Sequence, residues 1–305
     1  MSLQPTAFLA SKEAMGRAWS LEESLAYTRW LATHHYENFQ VVSFLLPKRL
    51  HQDFYNVYSF CRWADDLGDE IGNTEESLRL LAWWRGELQA MYAGERPKHP
   101  VFVALQGTAK QYQLAITPFD DLIQAFEQDQ TVTRYQNFEQ LFEYCRYSAN
   151  PVGRLVLGLC GYRDEERYAL SDATCTALQL ANFWQDVTVD LGKDRVYLPL
   201  DLLAKHGYPV ELLWERKFDD RFRGAMREAV DVARGLFLKG LPLADRVDRR
   251  LAIDLELFSR GGLRVLDKIE QQGYDVLTER PSISKIERVG ILLGALRRRA
   301  FSRAA

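Results

Sequence analysis

The chain has 305 residues, 47% of them hydrophobic and 27% charged, which is ample for a sizeable core. Its net charge of −3 excludes a general attraction to nucleic acid, so any basic surface is local. The four cysteines (Cys61, Cys145, Cys160, Cys175) form no C-x-x-C pair, and no apolar run nears the ~18 residues of a membrane span. With no basic-then-apolar leader at the N-terminus, the expectation is a cytoplasmic protein with reduced thiols, at most resting on a membrane surface.

Proline spacing organises the chain, because the intervals 48–96, 119–150, 152–198, 210–241 and 243–280 contain none and each accommodates one or two helices. Pro47 suits the first turn of a helix, and Asn73 with Glu76 reads as a capping box for the next. Thr117, Pro118 and Asp120 open another. Leu251, Leu255, Phe258, Val265 and Ile269 recur at helical steps and predict a buried stripe. Nothing alternates in the manner of a strand, and no repeat, linker or Gly-rich dinucleotide turn appears. The prediction is one all-α domain over 1–305, with roughly ten helices.

Two of those helices carry matched polar stripes. After Pro47, Tyr58, Arg62, Asp65 and Asp69 stand at i, i+4, i+7 and i+11 and share a face flanked by Asp66. Carboxylates four apart repel by ~0.2–0.5 kcal/mol in an isolated helix, a cost that a bound cation removes. Alone, this also reads as a solvated acidic helix end. In QLANFWQDVTVD (179–190), however, Gln179, Asn182, Asp186 and Asp190 repeat the pattern. Mg²⁺ takes oxygen ligands and leaves positions open for substrate phosphates. Two facing pairs therefore predict several Mg²⁺ ions around one diphosphate, neutralising it as its C–O bond breaks.

YSFCRWADDLGD (58–69) and QLANFWQDVTVDLGKDRVYLP (179–199) resemble the two aspartate-rich motifs of the squalene/phytoene synthase family. The resemblance extends to HYENF (35–39), YCRYSANPVG (144–153) and LDKIEQQGYDVLTERPSISK (266–285), and so spans nearly the whole chain in order. Within the family the details are most similar to the hopanoid-pathway branch that converts presqualene diphosphate to hydroxysqualene. The resemblance implies a class I isoprenoid synthase bundle with a central apolar cavity. It implies Asp65, Asp69, Asn182, Asp186 and Asp190 as Mg²⁺ ligands, and His35, Asn38, Arg62, Gln179 and Arg280 as holders of diphosphate oxygens. Tyr58 and Tyr144 would stand beside the reacting carbons, where aromatic faces stabilise a cation. Plainer readings stand beside these: core tyrosines, an Arg62 that pairs with Asp66 or Asp69, a satisfied His35. His34, His51, His99 and His206 have no matching spacing and read as structural.

Three positions depart from the family pattern. Gln185 stands where many members have arginine, Gly262 where members that join two prenyl diphosphates often have tyrosine, and Asn150 precedes Pro151 at an expected helix break. Gly262 removes bulk from the stripe, and Asn150 offers a polar berth for an ordered water, unless it simply caps the break. From Pro281 to Ala305, six Lys/Arg face one acid, with Ile286, Val289, Leu293 and Leu296 as an apolar face. That helix either packs on the domain or touches anionic lipid. The expected activity is Mg²⁺-dependent formation of hydroxysqualene from a C30 diphosphate, in functional coupling with other squalene-pathway enzymes. The alternatives are head-to-head joining of C15 or C20 diphosphates, and a non-catalytic binding or assembly factor, against which retention of all four motif aspartates weighs.

Overall fold

The computed structural model describes residues 3–34 and 47–301, so His35 and Asn38 lie outside the described residues. The regular secondary structure is all helical, with one isolated bridge, Arg134 to Val196, in place of any strand among the described residues. Contacts gather them into two compact units, one within Met1–Thr131 and Pro151–Arg163, the other within Val132–Asn150 and Asp164–Ala305. The helices are more numerous than the expected ten, because short ones fill the stretches around prolines and chain breaks.

In the first unit, α1 (Pro5–Ala10) and α2 (Lys12–Gly16) precede α3 (Leu21–His34). Ser20 and Glu23 cap α3 reciprocally: the Glu23 N–H donates to Ser20 Oγ at 3.2 Å, and the Ser20 N–H to Glu23 Oε2 at 3.0 Å. Next come α4 (Lys48–Asp69), α5 (Thr74–Tyr92), α6 (Pro100–Gln111) and α7 (Thr117–Gln128). The helix starts follow the sequence: Pro47 immediately precedes α4, and Asn73 Oδ1 accepts the Glu76 N–H at 2.9 Å. Thr117 begins α7 without a side-chain cap.

An aromatic core fixes α4. Trp63 and Trp84 stack at 5.2 Å, Phe60 meets Phe119 edge-on, and His99 sits among Phe8, Trp63, Trp84 and Phe102. Burial pushes the His99 imidazole down to about 3, so it stays neutral, as its structural reading requires. A polar network sets the register beside it. Thr28 donates to Asn56 at 2.7 Å, Asn56 to Thr108 at 3.0 Å, and Thr108 and Tyr112 to Asp53 at 2.8 and 2.9 Å. At its far end, the Gly68 carbonyl accepts from Gln130 at 2.9 Å, where Phe126 leaves little room for a side chain. The acid-bearing end of α4 is therefore rigidly held.

In the second unit, α8 (Phe138–Ser148) ends at a break, and Asn150 opens α9 (Asn150–Leu159), most of which belongs to the first unit. There follow α10 (Glu165–Gln185), α11 (Val187–Leu191), α12 (Leu200–Lys205), α13 (Asp220–Gly240), α14 (Arg249–Gln271) and α15 (Lys285–Phe301). Asn137, Asp164, Asp219 and Asp248 cap α8, α10, α13 and α14. Close approach welds α10 to α13, with Trp184 Nε1 donating to the Ala229 carbonyl at 3.0 Å. The sequence stripe on α14 is corrected in part: Leu251, Val265 and Ile269 are buried, but Leu255 and Phe258 are only half-buried. Asp254, Glu256 and Ser259 are buried in their stead. Glu256 is neutralised by Arg260 and Arg298, which is how a charged residue takes a core position.

Candidate active site

The first polar stripe lies on the last three turns of α4. Tyr58, Arg62, Asp65 and Asp69 are all half-buried there, while Asp66, one 100° step on, turns inward and is buried. Arg62 donates to Asp65 Oδ2 at 3.2 Å and forms an ion pair with Asp66. Burial raises the Asp66 carboxyl to about 6, against the pull of Arg62. The paired reading of Arg62 is thus realised, with Asp65 and Asp66 as its partners. These acids stand at the negative end of the helix dipole, where the last turn itself holds no basic residue and Arg62, a turn earlier, meets two of them.

The second stripe is not one continuous helix. α10 stops at Gln185, Asp186 takes a non-helical conformation (φ −105°, ψ 17°), and Asp190 rides on the separate short α11. Its β-branched run Val187-Thr188-Val189 is a poor helix former. The Val189 and Asp190 N–H groups both donate to the Asp186 carbonyl, at 2.8 and 2.9 Å, so the turn tightens instead of unwinding. Gln179 is half-buried and Asn182 exposed on α10. Again no basic residue occupies the last turn of α10.

Two neighbouring bonds staple a distant loop to this break. Arg280 pairs with both oxygens of Asp186, Nη2 lying 3.1 Å from Oδ2. Beside it, Gln185 Nε2 donates to the Pro281 carbonyl at 2.6 Å. The position that departs from the family pattern therefore holds the loop that delivers Arg280. Sequence reading missed this link, since nothing local to Gln185 names Pro281.

Tyr144 on α8 is 3% exposed and joins an aromatic cluster with Tyr135, Phe183 and Tyr197. Phe183 and Tyr197 stack at 3.6 Å and 5°, directly beneath the Asn182–Asp186 turn. Phe183 and Tyr197 lie inside the quoted second motif, so the signal was present but went unread. Asn150 is buried, and its Oδ1 accepts the Thr176 hydroxyl at 2.9 Å, so the helix break is tied to α10. Its amide N–H groups make no hydrogen bond among the described residues.

Among the described residues no three of His, Cys, Asp and Glu converge as a ready-made metal site. Each stripe instead supplies a pair of hard carboxylates, with the Asn182 amide beside the second. Pairs are what Mg²⁺ takes when phosphate oxygens and water complete its shell. The donor chemistry fits that ion. All four cysteines are free thiols, and no helix among the described residues is long and apolar enough to cross a membrane.

The sequence profile of the squalene/phytoene synthase family matches residues 32–287. The chain is 32% identical to hydroxysqualene synthase of Zymomonas mobilis over 276 residues, covering 88% of this chain and 90% of that one. It is 31% identical to 15-cis-phytoene synthase of Synechococcus elongatus over 277 residues, covering 86% and 88%. The crystal structure of squalene synthase HpnC from Alicyclobacillus acidocaldarius matches with a TM-score of 0.80 at 44% identity, over 83% of this chain and 95% of that one. The chain belongs to the squalene/phytoene synthase family of helical isoprenoid synthases.

Proposed function

We propose that the chain converts presqualene diphosphate and water to hydroxysqualene and diphosphate, with Mg²⁺. The observation that carries the chemistry is the pair of carboxylate sets at helix C-terminal ends, each already met by an arginine, Arg62 at the first and Arg280 from a distant loop at the second. Asp65 and Asp69, and Asn182, Asp186 and Asp190, would hold Mg²⁺. Bound Mg²⁺ supplies positive charge to the diphosphate as the C–O bond breaks and its electron pair leaves with oxygen.

The chain's own groups do the rest. Arg62 and Arg280 exchange their carboxylate partners for diphosphate oxygens, aided by Gln179, His35 and Asn38. Tyr58 and Tyr144 turn polarisable rings and phenol dipoles toward the carbocation. Asn150, its carbonyl fixed by Thr176, orients a water with its amide. That water's lone pair forms the new C–O bond, and its surplus proton passes to the departing diphosphate or to solvent. The likeness to the Zymomonas hydroxysqualene synthase supports this product.

A second reading, quenching by hydride to squalene, is favoured by the 44% identity to a protein described as a squalene synthase. Incubation with presqualene diphosphate and Mg²⁺ in H₂¹⁸O, without NADPH, separates the two. The expected product is the C30 alcohol bearing ¹⁸O, and Asn150→Ala should shift it toward elimination products. Squalene formed only on adding NADPH, with no labelled alcohol, would establish the second reading.

A further inference from the structure

We infer that α15 is a docking face for the surface of an anionic lipid bilayer. In an ordinary surface helix the large aliphatic residues face the core. Here that polarity is partly reversed: Ile286, Val289 and Leu293, at i, i+3 and i+7, are 84%, 55% and 60% exposed, Ile291, Leu292 and Leu296 are only half-buried, and the small Ala295 is fully buried. The helix packs on α14 through its other side. There its one acid, Glu287, meets Arg264 Nε at 3.1 Å and Lys268 Nζ at 2.8 Å. Those two cations hold the Glu287 carboxyl far below the usual carboxylate range.

With Glu287 on the packed side, the outward face presents aliphatic and cationic groups among the described residues. Lys285 and Arg297 flank the aliphatic line and Arg288 lies beside it, all exposed. An apolar ridge edged by cations is complementary to a negatively charged headgroup layer over acyl chains. A second copy of the chain is a poor fit to the same ridge, because the two basic helices would repel. The chain as a whole is acidic, at −3, so this positive face is local and directional.

The test is flotation of the full chain with vesicles of phosphatidylcholine, with and without phosphatidylglycerol, at ~0.1 and ~0.5 M salt. Binding should require phosphatidylglycerol and weaken at the higher salt. It should fall by about tenfold or more in Ile286→Ser/Val289→Ser/Leu293→Ser and in Arg288→Gln/Arg297→Gln. Circular dichroism should show both variants folded, since every altered side chain is exposed. Absence of binding to either vesicle, or equal binding by the variants, would overturn the inference. So would a concentration-dependent dimer that the triple serine variant abolishes.

Discussion

Asp254 is a costly residue of the second unit. It is 1% exposed, neither carboxylate oxygen has a hydrogen-bond partner among the described residues, and burial together with nearby Asp248 raises its carboxyl to about 8. Folding thus favours the protonated form. The stability this contributes is complete below the ordinary carboxylate range and is lost as pH rises toward 8. Asp254→Asn keeps the shape and removes the titration. Its melting temperature should match the native protein near pH 4 and exceed it by a margin that widens through pH 8, reaching a few kcal/mol, roughly, in stability. Parallel melting curves across that range would contradict this. The four motif aspartates are a different case, gathered at two helix ends beside Arg62 and Arg280. Alanine at Asp65, Asp69, Asp186 or Asp190 should reduce diphosphate release on the order of 10²-fold or more. The melting temperature in EDTA should stay within about 2 °C. Near-normal turnover in two of the four would remove them from the metal site.

At the scale of elements, periodicity located helices well and their interruptions poorly. The capping residue Asn73 and the proline start of α4 act locally, and both were legible. The break at Asp186 was not, because helical spacing continues unbroken through VTVD; the β-branched run there is a weak local signal, and the Arg280 and Gln185 contacts that mark the turn are long-range. Gly262 was legible as an inward position but not for its purpose. Its missing side chain does not leave open space, since a Cβ there would lie well under 3.0 Å from the Phe237 ring of α13. The glycine is the hole for an aromatic knob. Gly262→Ala should therefore cost about 1–3 kcal/mol by overpacking. In a Phe237→Leu background that penalty should shrink, giving a coupling on the order of 1 kcal/mol in a denaturation cycle. Strict additivity would show that the ring moves aside freely. The reversed polarity of α15 was hidden for a similar reason: a hydrophobic stripe predicts a face, but not whether that face meets protein or solvent.

For the whole molecule, the helical class and the first aspartate motif were readable because each depends on spacing within one helix, while the second motif kept helical spacing across a break. Arg280 was placed by resemblance alone, and 94 residues separate it from the carboxylate it meets. The Gln185–Pro281 bond likewise depends on long-range packing that no local pattern encodes. The proposed function, loss of diphosphate under Mg²⁺ from an apolar C30 substrate, gives these motifs one joint role. The direct measurement is diphosphate release from presqualene diphosphate by the purified chain, before and after chelation and with Mg²⁺ restored. Release should occur with Mg²⁺, stop in EDTA and return on readdition, while Asp69→Ala and Asp186→Ala stay silent throughout. Release that persists undiminished in EDTA, or no release from this substrate at any Mg²⁺ concentration, would rule that function out.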